Sequence, residues 1–129
     1  MGAEPIKVLT VDDSNLSRRR FIAGPLRQAG YDVYEAADGH EGLAAFAEHQ
    51  PDIVISDLLM PVMDGFDFVG QLKAQGATQP IIVASADIQE TSKQKVEDLD
   101  TFGFLNKPFK PEELLALVQR AAESVSVGV

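Results

Sequence analysis

Five short apolar runs, rich in β-branched residues, recur along the chain: Ile6–Val11, Val33–Ala36, Ile53–Ser56, Ile81–Ser85 and Gly103–Leu105. Three of them are apolar at nearly every position, the pattern of strands covered on both faces. Between the runs the spacing becomes helical. Leu43, Phe46 and Ala47 share one face of Glu41–Gln50, and Phe66, Val69 and Leu72 share a face further on. Leu114, Leu117, Val118, Ala121 and Ala122 form one stripe along Pro111–Glu123. The stretch Glu90–Leu99 is more weakly amphipathic and predicts a less firmly packed fourth helix. Asp13 or Ser14 can cap the first helix and Asp38 the second, while Pro111 suits the first turn of the last. Gly30 and Gly76 suit helix ends. Gly24-Pro25 predicts a bent or interrupted first helix, because Pro removes a hydrogen bond there. The segment Ser124–Val129 reads as a frayed end. Strand and helix thus alternate five times, which predicts an α/β fold. It is a doubly wound, five-stranded parallel sheet with five helices on its two faces.

Composition narrows the function. With 129 residues, 1–129 reads as one domain with its core at about 6–123. There are no cysteines, so disulfides, thiolate metal sites and cysteine nucleophiles are excluded, as suits a cytoplasmic location. Eleven Lys+Arg against twenty Asp+Glu give a net charge of −9, which argues against direct nucleic-acid binding. No apolar run approaches the ~18 residues of a membrane span, and the amino terminus lacks a signal-peptide apolar region.

Ligands of open α/β sheets bind outside the carboxyl ends of the strands, so the residues there were read for chemistry. Asp12 and Asp13 follow the first strand, Asp57 the third, Ser85 ends the fourth, and Lys107-Pro108 follows the fifth. Alone, each has a plain explanation: a cap, a turn, a polar strand end, a solvated lysine. Together they bring three carboxylates, a hydroxyl and an ammonium to one edge. Close carboxylates repel one another, and a divalent cation relieves that repulsion. An all-oxygen ligand set suits Mg²⁺. A carboxylate can also accept a phosphoryl group as a nucleophile. Asp57, at the end of the central strand, is the best candidate for that role, and the Asp12-Asp13 pair reads as metal ligands.

At these residues the chain resembles the response-regulator receiver domains of two-component signalling. The resemblance lies in Val11-Asp12-Asp13-Ser14, in Ser56-Asp57-Leu58-Leu59-Met60-Pro61-Val62-Met63-Asp64-Gly65, and in Asn106-Lys107-Pro108-Phe109. It runs in order from about Lys7 to Ala121. It implies a flavodoxin-like sheet of strand order 2-1-3-4-5 and a phosphorylation-activated switch of the single-domain, chemotaxis-regulator type. Asp57 would take phosphate from the phosphohistidine of a histidine kinase or histidine phosphotransfer protein. Asp13, Asp57 and the backbone carbonyl of Leu59 would ligate Mg²⁺, with Asp12 holding it through water. Lys107 would contact the phosphoryl group, Ser85 would move to hydrogen-bond it, and Phe104 would be the aromatic partner of that switch. Helix 4, strand 5 and helix 5 would then bind a downstream protein. The resemblance also implies a cis Lys107-Pro108 bond.

The chain departs from the family in two places. Asp100-Thr101 stands where Gly-Ala is common, beside a second aromatic, Phe102. The first helix holds one residue more than usual near Gly24-Pro25, on the face that commonly meets the kinase. The chain stops soon after the last helix, so no output domain is expected. Such a protein is not an enzyme beyond its own phosphorylation and dephosphorylation. A phosphorelay intermediate is the alternative within the same chemistry. An aspartyl phosphatase would need an acid–base aspartate where Leu59 stands. A flavin protein of similar topology would need an edge less acidic than this one.

Overall fold

The computed structural model describes residues 5–58, 65–86 and 101–127. Five parallel strands form one sheet: β1 (Lys7–Val11), β2 (Asp32–Ala36), β3 (Ile53–Ser56), β4 (Ile81–Ser85) and β5 (Gly103–Asn106). Their spatial order is β2-β1-β3-β4-β5, as expected. In register, Val11 is level with Ala36 on one side and Ser56 on the other, and Ser85 is level with Asn106. The three inner strands, β1, β3 and β4, are buried along their whole length save Lys7.

Alternation along each strand divides the core between two faces. One face carries Val8, Ile53, Ile55, Ile82, Ala84 and Leu105 against Ile22, Leu26, Leu114, Val118 and Ala121. The other carries Leu9, Val11, Val54 and Ile81 against Phe68, Val69 and Leu72. Each such Leu, Ile or Phe stabilises by roughly 1.5–3 kcal/mol relative to exposure. The two layers together therefore hold the strand ends in place from both sides.

The first helix is interrupted as the sequence predicts, in a specific way. A π-helical segment, Ser17–Ala23, runs into a short α-helix, α1 (Gly24–Gln28). Pro25 has no N–H to donate, and its ring would clash with the carbonyl four residues back. The wider π turn avoids this, with the Gly24 N–H bonding to the Arg19 carbonyl five residues back. It also accommodates the extra residue noted in the sequence. Ser14 caps this end, its hydroxyl accepting the Ser17 N–H at 3.2 Å.

Helix α2 (Gly39–His49) starts two residues earlier than the apolar spacing suggested, because Asp38 caps it by accepting the Glu41 N–H at 2.8 Å. Its closest approach to the core is through Gly42, where a Cβ would lie 2.8 Å from Phe68. Ala47, expected on the inner face, is exposed, and Ala45 packs inward instead. Helix α3 spans Gly65–Ala74, and the C-terminal helix spans Pro111–Val127. The latter reaches beyond the expected end at Glu123, and Ser124 donates its hydroxyl to the Ala121 carbonyl. The expected fourth helix, Glu90–Leu99, and Leu59 lie outside the described residues.

Candidate metal and phosphoryl-acceptor site

The residues after β1, β3 and β5 are pinned by the sheet itself. Asp12 donates its N–H to the Ala36 carbonyl at 3.1 Å, Asp57 to Val11 at 3.0 Å, and Lys107 to Ser85 at 2.9 Å. The strand ladders thus continue one residue past each strand. This places the side chains of Asp12, Asp57 and Lys107 at the same sheet edge. Gly65 adds a constraint from below, since its N–H bonds to the Leu58 carbonyl at 2.9 Å. A Cβ there would sit 2.0 Å from the Asp57 carbonyl oxygen, so only glycine lets α3 start this close to the acceptor strand.

The ligand oxygens of Asp12, Asp13 and Asp57 all lie within 4.8 Å of one another. Asp12 and Asp57 are buried and Asp13 is exposed. The Lys107 ammonium bridges the two buried carboxylates, 2.5 Å from Asp12 Oδ2 and 3.3 Å from Asp57 Oδ2. The Lys107-Pro108 bond is cis. Three carboxylates and one ammonium give the cluster a formal surplus of two negative charges. Hard oxygen donors, a surplus of two charges and one open side fit a divalent cation such as Mg²⁺.

Ser85 is fully buried at the end of β4, and its hydroxyl has no hydrogen-bond partner among the described residues. Leaving such a group unpaired costs about 1–3 kcal/mol. Phe104 on β5 is half-buried against Leu58 and Val83, while Phe102 stays exposed. The two aromatics therefore divide as core and surface.

Sequence reading missed two residues here. The Arg18 guanidinium is buried and donates to the Asp12 carbonyl, to Asn15 and to Glu35 Oε1. Glu35 accepts Arg27 on its other oxygen at 3.0 Å. Burial alone pushes the Glu35 carboxyl up, but the hydrogen bonds and charges of Arg18 and Arg27 outweigh it and hold it below the ordinary glutamate range. In sequence, Arg18 is one of three consecutive arginines, with nothing to mark it. Beside Lys107, an apolar cleft of about 290 Å³ is lined by Leu16, Phe21, Ala86, Pro108 and Phe109. Leu16 and Phe21 are among the most exposed large apolar side chains.

A parallel 2-1-3-4-5 sheet with an acidic cluster and a lysine at its carboxyl edge defines a class, and comparison with known proteins agrees. Residues 8–119 match the response regulator receiver domain. The chain belongs to that family: it is a CheY-like receiver domain of two-component response regulators. It is 40% identical to the solved chemotaxis protein CheY4 of Vibrio cholerae, with a TM-score of 0.85 over 91% of this chain and 98% of that one. It is 33% identical over 119 residues to Protein PilG of Pseudomonas aeruginosa, covering 91% of this chain and 87% of that protein. It is 38% identical over 114 residues to Response regulator MprA of Mycolicibacterium vanbaalenii, covering 87% of this chain and 48% of that protein. The chain spans about half the length of several relatives that it matches, MprA among them.

Proposed function

We propose that Asp57 accepts a phosphoryl group from a phosphohistidine and that this switches a protein-binding surface. The observation that carries the reading is the Asp12–Asp13–Asp57 cluster bridged by Lys107. An Asp57 carboxylate oxygen forms the new bond to phosphorus, the phosphorus–nitrogen bond to the donor imidazole breaks, and that imidazole keeps the electron pair. Asp13 and Asp57, with the Leu59 carbonyl, would hold Mg²⁺, and Asp12 would hold it through water. When bound, Mg²⁺ supplies positive charge to the phosphoryl oxygens. Lys107, already anchored on Asp12, neutralises a further oxygen and orients the group.

Phosphorylation adds close to two negative charges and new acceptors. The Ser85 hydroxyl, without a hydrogen-bond partner among the described residues, then bonds a phosphoryl oxygen, and Phe104 follows it inward. The populations shift toward the conformer whose helix 4, strand 5 and helix 5 surface binds a downstream protein. The donor, a histidine kinase or a histidine phosphotransfer protein, docks on the cleft beside Lys107, where Leu16, Phe21 and Phe109 offer apolar surface. The net charge of −9 speaks against direct nucleic-acid binding. No helix among the described residues is long and apolar enough to cross a membrane. The lack of cysteine suits a cytoplasmic setting. The same chemistry would also serve a relay that passes phosphate on to another histidine.

Incubation with Mg²⁺ and labelled acetyl phosphate tests the acceptor. Labelling is expected in the wild type and lost in Asp57→Ala, and label that persists in that variant would refute the assignment. For the output surface, beryllofluoride should change which proteins are retained by the chain in a pull-down.

A further inference from the structure

All four polar groups of the Asp12 residue are fixed. Its N–H is held by Ala36 at 3.1 Å, its Oδ1 by the Ser14 N–H at 2.9 Å, and its Oδ2 by Lys107 at 2.5 Å. Its carbonyl oxygen is held by Arg18 Nη1 at 2.5 Å. Asp13 differs: it is exposed and makes no hydrogen bond or ion pair of its own among the described residues. Its direction is therefore set by the main chain on either side. Its peptide link to Asp12 is held by Arg18 Nη1 on the Asp12 carbonyl, and Arg18 Nη2 takes the side chain of Asn15, two residues on, at 2.5 Å. One rigid guanidinium fork thus holds the peptide bond leading into Asp13 and ties it to the Asn15 side chain just before the π-helical segment. Its third contact, Nε to Glu35 at 3.0 Å, ties the clamp to β2. Arg27 braces Glu35 in turn, and also donates to the Val33 carbonyl at 2.9 Å.

We propose that Arg18, braced by Glu35, is a positioning residue that sets the selectivity of the acidic site for Mg²⁺ over larger cations. The inference rests on the metal-site reading above. Its physical basis is the difference between the two cations. Mg²⁺ demands near-ideal octahedral geometry with short bonds, whereas Ca²⁺ tolerates irregular ligand placement. A clamp on the approach of Asp13 therefore matters for the first ion and little for the second. Partners bonded directly to metal ligands are worth about 10–100-fold in metal affinity; Arg18 acts one step further out, through the main chain, so the low end of that range applies.

The test is calorimetric titration of the intact chain with MgCl₂ and, separately, CaCl₂. Arg18→Met keeps much of the buried bulk and removes the fork. It is expected to weaken Mg²⁺ binding about 10-fold and Ca²⁺ binding by less than about threefold. Arg18→Lys is expected to behave like Arg18→Met, because one ammonium cannot span three acceptors. Glu35→Gln should move the Mg²⁺-to-Ca²⁺ ratio in the same direction by a smaller factor. It carries the test if Arg18→Met does not fold, as judged by circular dichroism. An unchanged ratio in folded variants would overturn the proposal, as would equal weakening of both ions, which is what general loosening produces. A wild-type chain that binds no Mg²⁺ would overturn the metal-site reading itself and this inference with it. Normal wild-type binding with an unaltered ratio in the variants overturns this inference alone.

Discussion

Asp12 belongs to two ion clusters built on opposite balances. Through its carbonyl it touches the Glu35 cluster, where one carboxylate receives Arg18 and Arg27 at 3.0 Å each and Arg19 at 3.7 Å. Through its carboxylate it joins the edge cluster, where Lys107 pairs with Asp12 and Asp57 and the third carboxylate, Asp13, makes no ion pair among the described residues. The first cluster has cations in excess and both oxygens of its acid engaged. The second has anions in excess and one member, Asp13, facing solvent. A satisfied cluster holds β2 and the π-helical segment together. The edge cluster carries a surplus of negative charge that a bound cation would offset. The difference separates a cluster that ties elements of the fold together from one whose charge balance leaves room for a cation.

Stability measurements in urea, with and without Mg²⁺, should separate the two. Lys107→Met is expected to show the largest effect, a loss of about 3 kcal/mol, since it strips the bridging cation from two buried carboxylates. Saturating Mg²⁺ should return part of that loss, because an ion that binds the native state stabilises it. A variant as stable as the wild type would mean that the bridge contributes nothing. Next comes Glu35→Gln, with a loss of about 2 kcal/mol from weakened charge-assisted bonds to Arg18 and Arg27. Asp57→Asn should go the opposite way and raise stability by about 1 kcal/mol without Mg²⁺, a gain that shrinks as Mg²⁺ is added. If Asp57→Asn is destabilising in metal-free buffer, repulsion among the three carboxylates does not limit stability.

The smallest effect is a pH dependence. Glu35 is held below the ordinary glutamate range in the folded chain. A lowered folded value means that its contribution is complete above the ordinary value of about 4.3 and fades as the pH falls below it. The stability gap between wild type and Glu35→Gln should therefore be flat above about pH 5 and narrow toward pH 3. A gap that widens on acidification would reverse the sign argued here.

Much of the fold was legible in the amino-acid order. Runs such as Ile53–Ser56 and Ile81–Ser85 coincide with β3 and β4 residue for residue, because strands covered on both faces admit no polar interruption. Asp38 marked the start of α2 through its capping oxygen. Boundaries were harder where packing overrides spacing, as in the C-terminal helix beyond Glu123. Ala47 was placed on the inner face by helical period alone, yet Gly42, with no side chain, brings α2 closest to the core and turns Ala47 outward. Among the acids, Asp12, Asp13 and Asp57 stood out because each follows a predicted strand. Their shared cluster could be anticipated once the strands were taken as parallel.

What the sequence determined by itself was the strand-end chemistry: which residue types meet at the sheet edge, since alternation and turn residues are local signals. What only the tertiary structure decided was the support around that edge. Arg18-Arg19-Arg20 is a uniform basic run in sequence, yet Arg18 is buried against Asp12 and Glu35 while Arg19 and Arg20 are exposed. The choice among them depends on the rotation of a π-helical turn over β1 and β2, and that rotation follows from Gly24-Pro25 and the packing of Ile22 and Leu26. No local pattern carries it. The same holds for Gly65, whose need for glycine arises only where α3 meets the carbonyl of Asp57.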